Sequence, residues 1–105
     1  MSVYVTMRVS VDPAAFEKQA AAHAEAIARI MEVAKSKGLI AHRWFRGETE
    51  VMAVDEWPDA KSFQAFFDAA QSDIGPFMEA AGVTSPPDVT VWRPVDIDDS
   101  IGWGA

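Results

Sequence analysis

The alternation of apolar and polar positions along this chain predicts six secondary-structure elements. Apolar residues alternate with other residues over Met1–Val11, which is the period of a β-strand. They recur at helical spacing over Asp12–Gly38 and Asp59–Gly82. Two more strand-like runs lie in Leu39–Trp57, and a last one lies in Asp88–Val95. The order βαββαβ predicts an α+β domain with the ferredoxin-like fold, in which both helices cover one face of an antiparallel sheet.

The first strand predicts which of its side chains face the helices. Neighbouring residues of a strand point to opposite faces, so its side chains form two sets. One set is Val3, Val5, Met7, Val9 and Val11, and the other is Tyr4, Thr6, Arg8 and Ser10. We expect the apolar set under the helices and the second set on the open face of the sheet. In so short a chain a second copy is the simplest cover for that face, so a homodimer is expected.

Start and stop signals set the predicted helix boundaries. Asp12 is a suitable N-cap and is followed by proline, while Gly38 fits the position after the last turn. The first helix is therefore predicted as one unit of about 24 residues, roughly 36 Å long. The second helix contains Gly75-Pro76, and proline cannot continue a straight helix. A break is expected near Ser72–Gly75, followed by a short helix over Pro76–Ala81.

The segment between the two helices predicts a β-hairpin. Leu39–Arg46 and Glu50–Trp57 are the strands, and Gly47 supplies the turn. The orientation of the first of these strands is open. One face would carry Ile40, His42, Trp44 and Arg46, and the other would carry Leu39, Ala41, Arg43 and Phe45. Because neither set is purely apolar, the sequence does not choose between them.

Residues 1–95 are predicted to form one domain, and residues 96–105 an acidic C-terminal tail. Ile101 and Trp103 are the only large apolar residues in the second half of that tail. We expect Trp103 to anchor the tail onto the body of the protein or onto a partner subunit. A disordered tail is the alternative, because ordering each residue costs about 1–2 kcal/mol.

Composition and charge exclude several classes of function. The 105-residue chain has no cysteine, which excludes disulfides, thiolate catalysis and cysteine-ligated zinc. Nine Lys and Arg are scattered among sixteen acidic residues, and the net charge of −7 disfavours binding to nucleic acid or to anionic membranes. No apolar run approaches the roughly 18 residues that a membrane span needs, and the N-terminus lacks the pattern of a signal peptide. A cytoplasmic location is expected.

The segment Val51–Phe67 resembles the antibiotic-biosynthesis-monooxygenase-like members of the dimeric α/β-barrel superfamily. In that group the third strand commonly ends in an acidic or polar residue and a tryptophan, matched here by Glu56-Trp57. A short turn and a helix with an early aromatic residue follow, matched by Phe63. The resemblance implies a dimeric barrel and an enzyme similar to cofactor-independent monooxygenases acting on aromatic or polyketide-like substrates. The alternative is a non-catalytic ligand-binding or stress-associated protein of the same fold.

The haem-degrading branch of that superfamily is similar in length and in the strand-three motif. It uses an asparagine on the first strand and a histidine on the second helix. This chain contains no asparagine, and its two histidines, His23 and His42, both precede the second helix. Haem breakdown is therefore disfavoured, and no cofactor is expected.

Three residues are the candidates for catalysis in a cofactor-independent oxygenation. His42 is a candidate general base if its face of the strand is the open one, and otherwise it is a packing or surface residue. Arg8 and Tyr4 are candidates to hold the enolate oxygen. The alternative for Arg8 is a salt bridge at a subunit interface. The candidate substrate-binding residues are Thr6, Trp44, Trp57, Phe63, Phe66 and Phe67. They would form a flat apolar pocket for an aromatic small molecule.

Other titratable residues are assigned structural roles. His23 lies on the apolar stripe of the first helix and is expected to be a packed histidine that makes one hydrogen bond. Asp55 and Glu56 are adjacent in a strand and point to opposite faces, so they do not form a catalytic pair. One of them is expected to bond a helix N-terminus, and the other to pair with Arg8 or Arg43. The spacing of histidines and carboxylates matches no metal motif, so no metal is expected.

Overall fold

A computed structural model describes residues 2–103 and contains four strands and four helices. The strands are β1 (Val3–Ser10), β2 (Ala41–Arg46), β3 (Glu50–Trp57) and β4 (Asp88–Trp92). The helices are α1 (Pro13–Ala22), α2 (Ala24–Ser36), α3 (Ala60–Ala69) and α4 (Gln71–Ala80). The strands form one antiparallel sheet in the order β2-β3-β1-β4. This arrangement confirms the predicted α+β ferredoxin-like fold. Within residues 2–103, each helix is too short or too polar to cross a membrane.

The pairing of β1 with β3 separates the two faces of the sheet. Val5 lies opposite Asp55, and Val3 lies opposite Trp57. Val3, Val5 and Trp57 are buried under the helices, together with Val9 of β1. Alternation then places Tyr4, Thr6 and Arg8 on the open face. The predicted orientation of β1 is confirmed, because a strand with a valine at nearly every second position can bury those valines on only one face.

The pairing of β2 with β3 resolves the orientation that the sequence left open. His42 lies opposite Asp55 and Trp44 lies opposite Ala53, so both point towards the helices. Arg43 and Phe45 therefore lie on the open face, where both are exposed. The hairpin prediction is confirmed, and the amide N–H of Gly47 donates to the carbonyl of Glu50 at 2.8 Å across the turn.

The prediction of one continuous first helix is wrong, because the helix breaks at His23. That residue has φ −115° and ψ 38°, outside the helical region, and separates α1 from α2. Its ring Nδ1 lies 2.9 Å from the carbonyl oxygen of Gln19, which also accepts the backbone N–H of His23 at 2.9 Å. A side chain that bonds the carbonyl four residues back competes with the helical ladder and bends it. His23 is half-buried beside Phe77 and makes this one side-chain bond, as expected.

The second predicted helix also breaks, at Ala70, two positions before Ser72–Gly75. The predicted start of the following helix at Pro76 is wrong, because that helix begins at Gln71. Ala70 has φ −95° and ψ 2°, and Gln71 Nε2 donates to the carbonyl of Phe67 at 3.0 Å beside the break. Pro76 lies inside α4 and removes a backbone bond, at a cost of about 3 kcal/mol in a helix interior. Burial of Ile74, Phe77 and Met78 offsets this cost, since each contributes about 1.5–3 kcal/mol. The break at Ala70 therefore orients α4 for this packing, and the proline is tolerated.

An ion pair joins α2 to α4 at the surface. Arg29 Nη2 donates to Asp73 Oδ1 at 2.8 Å, and Arg29 Nε donates to the same oxygen at 3.2 Å. These hydrogen bonds from the guanidinium lower the pKa of Asp73 below its ordinary value. A carboxyl group whose pKa is lower in the folded protein stabilises it above the unfolded-state pKa. That stabilisation is lost as the pH falls through the folded-state pKa.

We therefore expect Asp73→Asn to lower the Tm at neutral pH. The difference from the original chain should shrink as the pH falls below about 4, the ordinary range of an aspartate pKa. Thermal unfolding across this pH range, followed by circular dichroism, measures the effect. Asp98→Asn in the exposed tail is the matched control and should leave the Tm unchanged at every pH. A Tm difference between the Asp73 variant and the original chain that does not vary with pH would contradict the assignment.

The tail does not pack onto the body of its own protomer. Ile101 is 91% exposed and Trp103 is 97% exposed, so the expected anchoring of Trp103 onto the body is wrong. The three aspartates at 96, 98 and 99 keep this segment polar, and its few apolar side chains do not offset the entropy cost of ordering it. Docking of Trp103 onto a partner subunit stays a prediction. The domain boundary at residue 95 also stays a prediction, three positions beyond the end of β4.

Candidate functional site

A cavity of about 200 Å³ lies between the sheet and the helix layer. Helices α2, α3 and α4 and strands β1, β2 and β3 all contribute to its wall. Most of the lining side chains are aliphatic, methionine or aromatic. The two titratable residues among them are His42 and Asp55, which are paired across neighbouring strands. The site therefore combines an apolar pocket with a single polar pair, as is typical of small-molecule sites.

A chain of hydrogen bonds connects this pair to a buried tryptophan. His42 Nδ1 lies 2.6 Å from Asp55 Oδ1, and Trp57 Nε1 donates to Asp55 Oδ2 at 3.1 Å. Asp55 and Trp57 are two positions apart on β3, so both side chains lie on the helix-facing side. The register of β2 against β3 places His42 directly beside the carboxylate. Strand pairing thus builds the chain Trp57–Asp55–His42.

The hydrogen bonds of Asp55 indicate which ring nitrogen of His42 carries the proton. Asp55 is 7% exposed, and a carboxylate so buried needs hydrogen-bond donors for its oxygen atoms. Trp57 supplies one donor, because an indole nitrogen can only donate. The Nδ1–H of His42 supplies the other, so Nε2 is the unprotonated nitrogen whenever the ring is neutral. An imidazole held in this tautomer by a carboxylate can accept a proton at Nε2, and the carboxylate then stabilises the imidazolium.

Aromatic side chains fix Trp57, the residue at the buried end of this series of hydrogen bonds. The ring of Trp57 stacks on Phe66 with centroids 5.3 Å apart and an interplanar angle of 29°. Phe63 contacts Trp57 edge-on at 6.0 Å and stacks on Phe67 at 5.6 Å. Pairs of this kind add about 0.5–1.5 kcal/mol beyond the area that they bury. The indole that orients Asp55 is therefore fixed by the start of α3.

Comparisons with known proteins identify the fold. No protein-family model matches the chain, and no curated protein matches it. Several solved structures do match, and one is a proposed antibiotic biosynthesis monooxygenase from Bordetella bronchiseptica. That structure is 17% identical with a TM-score of 0.65, and the match covers 90% of this chain and 97% of that one. This chain has the antibiotic-biosynthesis-monooxygenase-like fold.

Two further structures share this monooxygenase-like fold. SnoaB, a cofactor-independent oxygenase from Streptomyces nogalater, is 17% identical with a TM-score of 0.56, over 94% of this chain and 97% of that one. Rv0793 from Mycobacterium tuberculosis is 19% identical with a TM-score of 0.61, over 95% of this chain and 100% of that one. The predicted resemblance to monooxygenases is confirmed at the level of the fold.

Five of the residues predicted for the site line the cavity of this fold. They are His42, Trp44, Phe63, Phe66 and Phe67. Trp57 was also predicted to bind substrate, but it is fully buried at 0% exposure behind Asp55. Its indole thus supports the carboxylate rather than forming part of the cavity wall. The catalytic and binding roles of these residues stay predictions.

The structure does not bring Arg8, Tyr4 and Thr6 together with His42 in one protomer. All three lie on the open face of the sheet, and His42 lies on the helix-covered face. Arg8 Nη2 donates to Asp88 at 3.0 Å, and Thr6 Oγ1 accepts the indole N–H of Trp92 at 2.8 Å. The separation follows from strand alternation, because the orientation of β2 decided which face received the histidine. The predicted catalytic group of His42, Arg8 and Tyr4 is therefore not assembled within one chain.

The contacts of Asp55 differ from those expected from the sequence. Of the two acids at the end of β3, one was expected to bond a helix N-terminus and the other an arginine, and both assignments are wrong. Asp55 binds His42 and Trp57, and Glu56 accepts a hydrogen bond from Ser2 at 2.6 Å. The predicted hairpin could have indicated the contact between His42 and Asp55, since a short turn at Gly47 places residue 42 near residue 55. Over residues 2–103, no three side chains cluster as metal ligands.

Proposed function

We propose that this chain is a small-molecule enzyme that oxygenates an aromatic substrate without a bound cofactor, with His42 as the general base. The observation that carries the proposal is the His42–Asp55 pair in the wall of an otherwise apolar cavity. A base in a site that excludes water can generate a carbanion-like substrate that reacts directly with dioxygen. The likeness in fold to SnoaB, which is a cofactor-independent oxygenase, supports this reaction class.

The proposed reaction uses dioxygen as the oxidant of a phenolic substrate. Nε2 of His42 takes the proton of the hydroxyl group, and the phenolate delocalises its electron pair to the opposite ring carbon. That carbon bonds one atom of dioxygen. Loss of the ring C–H proton and cleavage of the O–O bond give a quinone carbonyl, while the other oxygen atom leaves as water. Asp55 stabilises the imidazolium for as long as His42 holds the proton.

Turnover of simple phenols in air tests this proposal. We expect the protein to convert at least one member of a panel of one- and two-ring phenols, including 1-naphthol, into the para-quinone. Mass spectrometry under ¹⁸O-labelled dioxygen should show one labelled oxygen atom in the product. His42→Gln is the matched control and should react at least about 10²-fold more slowly than the original chain. If no phenol in the panel is converted above the rate in buffer, the oxygenase proposal fails.

A non-catalytic ligand-binding protein is the second candidate. The observation that favours it is the small number of polar groups in the cavity, since an apolar ligand could be held there by packing alone. Native mass spectrometry of the purified protein separates the two functions. A co-purified apolar molecule that the protein does not convert in air would support binding without catalysis.

We also propose that the chain forms a homodimer through the open face of the sheet. Two large aromatic side chains, Phe45 and Trp92, are exposed on the two edge strands of that face, and the half-buried Tyr4 lies opposite Trp92. Exposed apolar surface of this kind marks interaction sites on proteins. A two-fold axis would pair this face with itself, so the same patch would cover both copies.

Sedimentation equilibrium should therefore show a species of about 23 kDa, twice the 11.5 kDa of one chain. Phe45→Glu places a charge in the proposed interface and should shift the mass towards that of one chain. Ala65→Glu introduces the same charge on the exposed side of α3 and should leave the dimer intact. A monomeric original chain would contradict the proposal, as would equal effects of the two variants.

A further inference from the structure

We propose that the cavity selects neutral one- or two-ring aromatic molecules that carry a hydroxyl group, and that it rejects carboxylates and larger ring systems. This inference deepens the proposed function, because it names the substrate class of the same cavity. It concerns binding, however, and does not depend on whether the bound molecule reacts. Three properties of the cavity carry it, namely its charge, its hydrogen-bonding capacity and its size.

The charge of the cavity wall disfavours anions. Among the lining residues, drawn from residues 2–103, there is neither lysine nor arginine. The nearest formal charge is the carboxylate of Asp55, which would repel an anionic ligand. A ligand carboxylate would also lose its hydration without gaining a hydrogen-bond donor or a cation, and this desolvation costs on the order of several kcal/mol. A ligand that is neutral at physiological pH avoids both penalties.

The hydrogen-bonding capacity of the wall favours a donor on the ligand. Both oxygens of Asp55 already accept bonds, from His42 and from Trp57. His42 Nδ1 is used by the same carboxylate, so Nε2 is the nitrogen left for a ligand. In the neutral ring that nitrogen is an acceptor. A hydroxyl group satisfies it, whereas a methoxy group has no proton to give and leaves the acceptor without a partner.

The size of the cavity limits the number of rings. A cavity of about 150 Å³ lined by aliphatic and aromatic side chains accommodates benzene. The volume of about 200 Å³ therefore suits one substituted ring or two fused rings. A third ring would exceed this volume and would need a wider cavity. The ion pair between Arg29 and Asp73 opposes a separation of α2 from α4, and both helices line the cavity.

The test compares matched ligands under anaerobic conditions, so that no oxygenation can occur. Isothermal titration calorimetry at neutral pH would measure the affinities of 1-naphthol, 1-methoxynaphthalene, 1-naphthoate and 1-hydroxyanthracene. We expect 1-naphthol to bind at least about tenfold more tightly than each of the other three. For the methoxy compound this is the difference that one hydrogen bond of about 1.4 kcal/mol produces. Equal or tighter binding of 1-naphthoate, of the methoxy compound or of the three-ring compound would overturn the inference.

Methionine methyl groups locate the bound ligand without any variant. Met7, Met31 and Met78 line the cavity, whereas Met52 lies on β3 opposite Arg8, on the open face. With ¹³C-methyl methionine, 1-naphthol should shift the NMR signals of the first three and leave that of Met52 in place. Shifts confined to Met52 would place the ligand on the open face and overturn the inference. Selective binding without turnover would contradict only the oxygenase proposal, whereas turnover without this selectivity would contradict only the present inference.

Discussion

Replacing Asp55 with asparagine should reduce the rate of oxygenation by about 10²–10⁴-fold, the usual contribution of a positioned general base. The reason lies in Trp57, whose indole nitrogen can only donate. In the variant, the amide oxygen would accept the bond from Trp57, so the amide nitrogen would face His42. His42 Nδ1 would then have to accept, and its proton would move to Nε2. The nitrogen proposed as the base would be blocked, in the way that loss of the carboxylate misorients the histidine of a hydrolase triad.

Steady-state kinetics of Asp55→Asn, His42→Gln and the double variant check this result. Because the two residues act as one unit, the double variant should be hardly slower than the slower single variant. His23→Gln is the matched control, since His23 bonds only a helix carbonyl and does not line the cavity. It should retain most of the activity. Independent, additive losses from the two single variants would show that His42 and Asp55 do not function as a pair.

Replacing Trp57 with alanine should lower the free energy of unfolding by about 3–5 kcal/mol, the usual cost of removing a large aromatic side chain from a core. Trp57 is 0% exposed and packs against Phe63 and Phe66, so neighbouring side chains cannot easily fill the space. The variant also removes the indole N–H from the buried carboxylate of Asp55. A charged oxygen that stays buried but loses a hydrogen-bond donor lowers the free energy of unfolding further.

Urea denaturation at a fixed protein concentration measures this effect, because dimerisation would make the stability depend on concentration. Trp57→Phe keeps an aromatic ring but removes the hydrogen-bond donor, so its free energy of unfolding should fall by less than that of the alanine variant. Trp103→Ala is the control for an exposed tryptophan and should change the stability by no more than about 0.5 kcal/mol. If Trp57→Ala and Trp103→Ala have similar effects, Trp57 is not the central core residue that its burial indicates.

Local sequence patterns were sufficient for most of the fold. The valines of β1 alternate with polar residues, so their burial on one face needs no knowledge of distant segments. The start of the first helix could also be predicted from neighbouring residues. The side chain of Asp12 accepts the N–H of Ala14 at 3.3 Å, as expected of an N-cap. Gly38 also lies just after the helix, with a φ of 98° that disfavours other residues. The order of the elements follows from such signals.

The helix breaks were not predictable in the same way, because they depend on packing. His23 is on the apolar stripe of a regular helix pattern, and its bond to the carbonyl of Gln19 is visible only in the folded protein. Pro76 suggested a break nearby, yet the chain bends at Ala70 and keeps the proline inside α4. The burial of Phe77 and its neighbours outweighed the local preference of proline.

The candidate site was predictable in its residue types but not in its assembly. Residue types pointed to His42, Trp44 and the phenylalanines of α3, because aromatic side chains suit an apolar pocket and a histidine can act as a base near neutral pH. The face on which His42 lies was undecided, since each face of β2 mixes apolar with charged residues. Packing settled it by placing His42 opposite Asp55, thirteen positions further along the chain. A contact between two strands arises only from their register, so the pairing of His42 with Asp55, and the separation of both from Arg8, could come only from the folded chain.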